Sequence, residues 1–287
     1  MIVFGLSHAT GDPRYAYMTQ YTRVTSEQWE AQGRKMGLDK PLVVQYTIWL
    51  GKAVRGDFGD SVHYHRNSLD LILESLPATL QLSGIAFLFS IVLGVPLGVL
   101  SAVKRATVWD YFGRSFALLG QSVPPFWLAI VLIYIFAVNL DWLPTSRRGD
   151  WTHYVLPVVT LGWLPAAGML RLTRSSMLEV LDSEFVKLAR AKGVQSQNII
   201  WKHAFRNALI TPLTYVMIIL AGFMTGAVVT ETVFAWPGIG RLAVRAAVNV
   251  DFPLVTGLAL VFGVMFLLAS FIADVLYGLL DPRIRYE

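Results

Sequence analysis

Five long apolar runs, at residues 77–103, 112–140, 154–172, 208–234 and 254–280, set the hydrophobic pattern of this chain, with polar stretches between them. Crossing a hydrocarbon layer about 30 Å thick takes roughly 20 apolar residues at about 1.5 Å of helix rise each. The pattern therefore predicts five full-length transmembrane helices. All five contain glycine and most contain proline. In lipid these residues are tolerated where neighbouring helices or water satisfy the freed backbone groups, and small residues let helices approach closely. Pro124-Pro125, Pro157 with Pro165, and Gly222 with Gly226 accordingly predict bends or close packing.

The first part of the chain reads differently. Residues 1–7 begin with an apolar stretch too short to span a membrane and read as the last turns of a first transmembrane helix, whereas residues 8–76 have the composition of a soluble segment. Within it, Thr25-Ser26 opens one helix that closes near Gly37, and Asp39 with Pro41 opens a second. Leu42, Tyr46, Trp49 and Leu50 share a face of that second helix, a stripe expected to pack on the membrane domain or in the headgroup layer.

The loops orient the spans. Arg171, Arg174, Lys187, Arg190, Lys192, Lys202 and Arg206 outnumber Glu179, Asp182 and Glu184 in one connection, which places it in the cytoplasm together with Lys104 and Arg105. Residues 141–153, 235–253 and 8–76 are then extracytoplasmic, with Arg147, Arg148, Arg241 and Arg245 as exceptions to the charge bias. Five spans of that parity would require a long leading segment to be exported without a helix before it. Further residues upstream of Met1, completing a sixth span, are expected.

Composition supports a membrane protein: 55% of the 287 residues are hydrophobic, 15% are charged, and the mean hydropathy is +0.53. The net charge of +5 is accounted for by the positive-inside bias, so no nucleic-acid partner is expected. With no cysteine there is neither a disulfide framework nor a thiolate metal site. No phosphate loop of the GxxxxGK[ST] type occurs, since Gly51-Lys52-Ala53 lacks both the upstream glycine and the hydroxyl residue, and neither HExxH nor GxSxG is present. His63 and His65 lack nearby carboxylates and read as loop residues. No catalysis, metal or cofactor is expected in this chain. Glu231 and Asp274, in or beside apolar segments, are candidates for a proton or substrate partner, against the alternative of a structural hydrogen bond to a neighbouring helix, the reading preferred for Asp274.

The cytoplasmic connection, residues 173–207, holds a helix-patterned basic stretch. Phe185, Leu188 and Ala189 recur at helical spacing among Lys187, Arg190 and Lys192, and Gly193 stands where a left-handed cap would end the helix. Pattern alone leaves two readings: a helix docking on a partner protein, or one resting on lipid headgroups.

Ala189-Arg190-Ala191-Lys192-Gly193, then Lys202-His203-Ala204-Phe205-Arg206-Asn207-Ala208-Leu209 and Pro212, resemble the cytoplasmic loop of ABC importer permeases of the dipeptide and oligopeptide class. The resemblance extends over almost the whole chain, through Gly11-Asp12-Pro13, Gly37-Leu38-Asp39-Lys40-Pro41, Gly56-Asp57-Phe58-Gly59 with Ser61, Trp236-Pro237-Gly238-Ile239-Gly240-Arg241-Leu242, Asp251-Phe252-Pro253 and the terminal Asp281-Pro282-Arg283-Ile284-Arg285-Tyr286. The general importer pattern, EAA followed three residues later by glycine, keeps only Ala189 and Gly193 here, a departure usual in the peptide branch. The long first outer loop is similar to that of B-type subunits.

The resemblance implies an all-α polytopic membrane protein with the transmembrane domain of a type I ABC importer, six spans in the family with the first truncated here, in a bacterial or archaeal cytoplasmic membrane. It implies a C-type second permease, two ATPase subunits that hold ATP and magnesium, and an extracytoplasmic solute-binding protein. Lys187, Leu188, Ala189, Arg190, Ala191, Lys192 and Gly193 would form the helix that couples to an ATPase subunit. The cargo would be a dipeptide or oligopeptide, with glutathione or nickel complexes as alternatives. Gln121, Trp163, Tyr215 and Glu231, polar positions within spans, are candidates for the substrate pathway. A proton-coupled secondary transporter using Glu231 or Asp274, and a membrane scaffold, are the rivals from other classes.

Overall fold

A computed structural model describes residues 5, 25–36, 38–225 and 227–280. Except for Gly5, the expected first-span remnant at residues 1–7 lies outside the described residues, as do the Gly11-Asp12-Pro13 motif, Gly37, Gly226 and the tail at residues 281–287. Among the described residues the chain is helical, apart from one isolated bridge between Asp60 and Asn67. It divides into two compact units, one gathering the described residues up to Ala78 with Pro237–Val264, the other Thr79–Trp236 with the described residues from Met265 onward.

The first unit opens with α1 (Ser26–Met36). Thr25 and Gln28 cap it reciprocally: the backbone N–H of Gln28 donates to Thr25 Oγ1 at 3.3 Å and that of Thr25 to Gln28 Oε1 at 3.1 Å, satisfying donors that a helix start leaves orphaned. In α2 (Leu42–Ala53), Pro41 stands at the N-cap and Gln45 reaches back to the Lys40 carbonyl. Of its apolar stripe Tyr46, Trp49 and Leu50 are half-buried and Leu42 is exposed. This unit also holds α10 (Ile239–Val248) and the start of α11 (Phe252–Leu280). The loop motif at Gly56–Gly59 packs directly on that start. A Cβ on Gly257 would lie 3.1 Å from Phe58 Cγ, and one on Gly59 would lie 3.6 Å from Pro253. Both Gly56 and Gly59 have positive φ, +84° and +85°, where glycine carries no Cβ penalty.

The second unit is built on α3 (Ser68–Val103) from Thr79 onward, α4 (Val108–Ser122), α5 (Pro125–Leu132), continued by π-helical Ile133–Asn139, and α6 (Thr152–Leu181). After α6 come α7 (Glu184–Ala191), a π-helical return at Ile199–Phe205, α8 (Ile210–Thr225) and α9 (Val228–Val233). Glycines set the packing on α6. A Cβ on Gly94 would meet Met169 Cβ at 2.6 Å and the Ala166 carbonyl at 2.7 Å, one on Gly98 would meet Thr173 Cβ at 2.6 Å, and one on Gly162 would meet the Ala86 carbonyl at 2.9 Å. Because 86, 94 and 98 meet progressively later residues of α6, α3 and α6 run parallel. A Cβ on Gly113 would touch Leu170 at 3.8 Å and one on Gly120 would touch Trp163 Nε1 at 3.2 Å, so α4 runs antiparallel to α6. That sense fits a chain that returns across the membrane between α3 and α6.

Among the described residues, α3, α6 and α11 as far as Leu276 are each long and apolar enough to cross a membrane. Two bent pairs raise the number to five if each is one span: α4 with Pro125–Asn139, bent by 109°, and Ser196–Ala208 with Ile210–Phe223, bent by 48°. The expected run at 112–140 is thus not one straight helix. Pro124 forces Val123 out of the α region, to ψ 119°, and Pro124 is itself extended before Pro125 starts α5. The run expected at 154–172 continues to Leu181, because Met177 and Leu181 pack into a core with Val99, Ala102, Ala204 and Ala208. Residues 173–181 are therefore helix, although charge pattern alone assigns them to the loop. The run at 77–103 likewise starts earlier, at Ser68, where Glu74 is held by Arg66.

Candidate functional site

The short basic helix α7 projects just after α6 and is stopped by a Schellman arrangement. The Val194 N–H donates to the Ala189 carbonyl at 3.1 Å and the Gly193 N–H to the Arg190 carbonyl at 3.0 Å. Gly193 makes this closure with φ +75°. Val186, fully buried, is the anchor of the helix, and Ala189 is half-buried. Phe185 and Leu188, read as the apolar side from their spacing, are instead 47% and 57% exposed. Lys187 pairs with Glu184 at 2.8 Å, while Arg190, Ala191, Lys192 and Gly193 are exposed. The outward face therefore combines two large apolar side chains with basic ones, a composition suited to an acidic protein surface with an apolar cleft.

α7 contacts the end of α6 and the π-helical return, and these two share a buried cluster with the end of α3. Val99 and Ala102 at the end of α3, Met177 and Leu181 at the end of α6, and Ala204 and Ala208 after the loop form one core, with Ile200 and Phe205 packed against it. A polar joint reinforces this end. Asp110 is 1% exposed and receives Arg174 Nε at 2.7 Å and Nη2 at 3.1 Å, the Ser101 hydroxyl at 2.8 Å and the Ala106 N–H at 3.0 Å. The last bond holds Ala106 at φ +62°, a conformation costly to a residue with a Cβ. In the sequence Arg174 reads only as a loop charge, and Asp110 belongs to no local motif. The available signal was their sign: opposite charges at the margins of apolar runs are too expensive to leave unpaired.

The candidate pathway residues fall in two places. Gln121 Oε1 accepts from Arg171 Nη1 at 3.0 Å. Trp163 stacks on Phe116 with centroids 4.3 Å apart beside Gly120, its buried Nε1 without a hydrogen-bond partner among the described residues. The Tyr215 hydroxyl lies close against Gly168. These three gather around the middle of α6. Glu231 does not join them; it is fully buried on α9 and accepts from the Thr79 hydroxyl at 2.5 Å. Asp274 is exposed and makes no hydrogen bond or ion pair among the described residues, so the helix-to-helix bond preferred for it is not formed there. A cavity of about 310 Å³, almost wholly apolar, lies between Pro125, Phe126, Thr160, Leu164, Phe223 and Thr230. Thr160 adds a buried hydroxyl without a hydrogen-bond partner among the described residues.

Residues 94–286 match the model of the binding-protein-dependent transport system inner membrane component family. The chain belongs to that family. Its members are transport permeases, and this one is a multi-pass inner-membrane protein in keeping with its apolar helices. It is 42% identical over 255 residues to the oligopeptide transport system permease protein OppB of Haemophilus influenzae, covering 88% of this chain and 83% of the relative. It is 36% identical to the di/tripeptide transport system permease protein DppB of Pseudomonas aeruginosa, over 96% of this chain and 90% of that one. With the oligopeptide permease AppB of Bacillus subtilis the identity is 35%, over 97% and 91%. The fold is shared with the methionine ABC transporter MetNI in an inward-facing conformation, at a TM-score of 0.62 and 17% identity over 74% of this chain and 96% of that one. An amino acid ABC transporter gives a TM-score of 0.59 at 15% identity, over 72% and 93%. The fold class expected from the sequence, an all-α type I importer transmembrane domain, is the one observed.

Proposed function

We propose that this chain is one transmembrane subunit of an ATP-driven importer carrying dipeptides or oligopeptides across the cytoplasmic membrane. The observation that carries this reading is identity of 35–42% to three permeases named for oligopeptide or di/tripeptide transport, over 88–97% of the chain. The division of labour follows. A second permease completes the pathway, a solute-binding protein delivers cargo from outside, and two ATPase subunits bind ATP and magnesium. Residues 187–193 couple to one ATPase subunit: Leu188, with Phe185 just before this stretch, enters its cleft, Arg190 and Lys192 meet acidic groups, and Gly193 turns the chain back to the membrane. Closure of the ATPase dimer displaces α7, and the cluster of Met177, Leu181, Val99 and Ala204 passes that displacement to α3 and α6.

ATP-driven uptake of labelled peptide in proteoliposomes tests this. Uptake is expected with the whole assembly and lost when an ATPase subunit carries an inactivating mutation. Uptake that persists without nucleotide and follows a proton gradient would refute it in favour of a secondary transporter.

A further inference from the structure

One face of α4 and one face of α6 line an open cleft of about 350 Å³ that the coupling mechanism leaves unused. Arg114, Leu118 and Gln121 reach it from α4 at helical spacing, and Arg171, Arg174 and Ser175 reach it from α6. It opens on the cytoplasmic half, since α4 begins just after Lys104-Arg105 and Arg171 precedes the cytoplasmic end of α6 at Leu181 by about 15 Å of helix. Its charge is unbalanced. Asp110 takes Arg174 at 2.7 Å and lies 3.7 Å from Arg114, which also sits 4.7 Å over the Tyr111 ring. Arg171 has no carboxylate within ion-pair distance among the described residues, and donates to the neutral amide oxygen of Gln121. Placing a cation this far into an apolar helix without an anion costs several kcal/mol, about 2.5–3.5 on insertion scales, unless it faces water or a charged partner.

We infer that this cleft receives the terminal carboxylate of the peptide cargo as it leaves toward the cytoplasm, with Arg171 and Arg114 holding the oxygens. The inference rests on the importer reading above and names a subsite for it. A carboxylate fits the forked donors of two guanidiniums. The neighbouring groups fit a peptide better than a lipid phosphate: Gln121 and Ser175 both donate and accept, which suits a main chain carrying N–H and C=O groups, whereas a phosphate takes donors only.

The test uses the assembled transporter in nanodiscs of neutral phosphatidylcholine without nucleotide, dialysed against radiolabelled trialanine and its C-terminal amide. The wild type is expected to hold the free acid about tenfold more tightly than the amide. R171Q, and separately R114Q, are expected to bring the two within about twofold of each other. Because the readout is a ratio within one preparation, partial loss of assembly cancels, and R114Q serves if R171Q does not assemble. Equal binding by the wild type, no measurable binding of either peptide, or a preference that survives R171Q overturns the inference. A preference abolished by adding phosphatidylglycerol assigns the arginines to a lipid headgroup and also overturns it. ATP-driven trialanine uptake by the same wild-type complex separates the two levels: uptake without acid preference overturns the subsite alone, and no uptake overturns the importer reading with it.

Discussion

The hydroxyl of Ser61 donates to Asp251 Oδ2 at 2.5 Å, joining residues 190 positions apart, both almost fully buried. The same oxygen accepts the His63 N–H at 3.2 Å, and Oδ1 lies 3.4 Å from the Leu254 N–H at the start of α11. Asp251 thus caps a long helix and pins the loop around Ser61 to it. Asp251→Ala orphans these donors and is expected to destabilise the first unit by about 2–3 kcal/mol, and Ser61→Ala by about 1–2 kcal/mol. Protease cleavage near Gly56–Gly59, timed in detergent-solubilised protein, reports it; equal cleavage rates in wild type and D251A would refute the role.

Arg174 and Asp110 form a charged joint within the second unit. Removing Arg174 leaves the Asp110 charge buried, at a cost of about 3–5 kcal/mol. The double variant D110N/R174Q is expected to be more stable than the sum of the singles by at least about 1 kcal/mol. A double-mutant cycle on thermal midpoints measures it, and strict additivity would show the pair to be uncoupled.

Gly193→Val forces a β-branched side chain to φ +75°, and Ala191→Glu puts an acidic group on the outward face of α7. Each is expected to lower ATP-driven uptake at least about tenfold, while membrane insertion stays normal because Val186 still anchors the helix. Co-purification of the ATPase subunits and uptake are the measurements. Unchanged uptake in both variants would remove α7 from the coupling path.

Gly98→Val inserts three carbons where one Cβ already lies 2.6 Å from Thr173 Cβ and 2.8 Å from the Leu170 carbonyl. Since backbone cannot yield as a flexible side chain does, the loss is expected to be about 1–3 kcal/mol or more. Gly263→Val, with nothing within 4 Å, is the control expected to leave the thermal midpoint nearly unchanged.

Asp150 accepts the hydroxyl of Thr152 and a ring nitrogen of His153 in front of α6, and these bonds hold its carboxyl at about 2, against an ordinary 3.8. A carboxyl lowered in the folded state stabilises above its unfolded value and loses that contribution as pH falls through its folded value. The cap is therefore expected to be intact above pH 4 and to release between about pH 4 and pH 2. Hydrogen exchange at the Thr152 amide across that window reads it, and exchange independent of pH after intrinsic-rate correction would contradict it.

Much of this architecture was legible. Thr25 and Gln28 close the capping box expected at Thr25-Ser26, and Gly193 adopts the left-handed cap its position announced. These are local features, decided within a few residues. Phe185 and Leu188 show the limit of such reading. Spacing marked them as the apolar side of α7, but which side faces inward depends on the seat offered by the rest of the protein, and Val186 takes it. The joint of Arg174 with Asp110 lies 64 positions apart along the chain, beyond any local pattern.

The sequence by itself determined the membrane character, the apolar runs and the family motifs. Each follows from the transfer of single segments between water and lipid, or from residues close along the chain. Only the tertiary structure decided that the run at 112–140 bends by 109°, that α3 and α6 lie parallel with Gly94 and Gly98 against α6, and that Ser61 meets Asp251. Those outcomes depend on how backbones fit together at van der Waals distance, a condition on pairs of segments that the hydropathy of either segment alone does not contain.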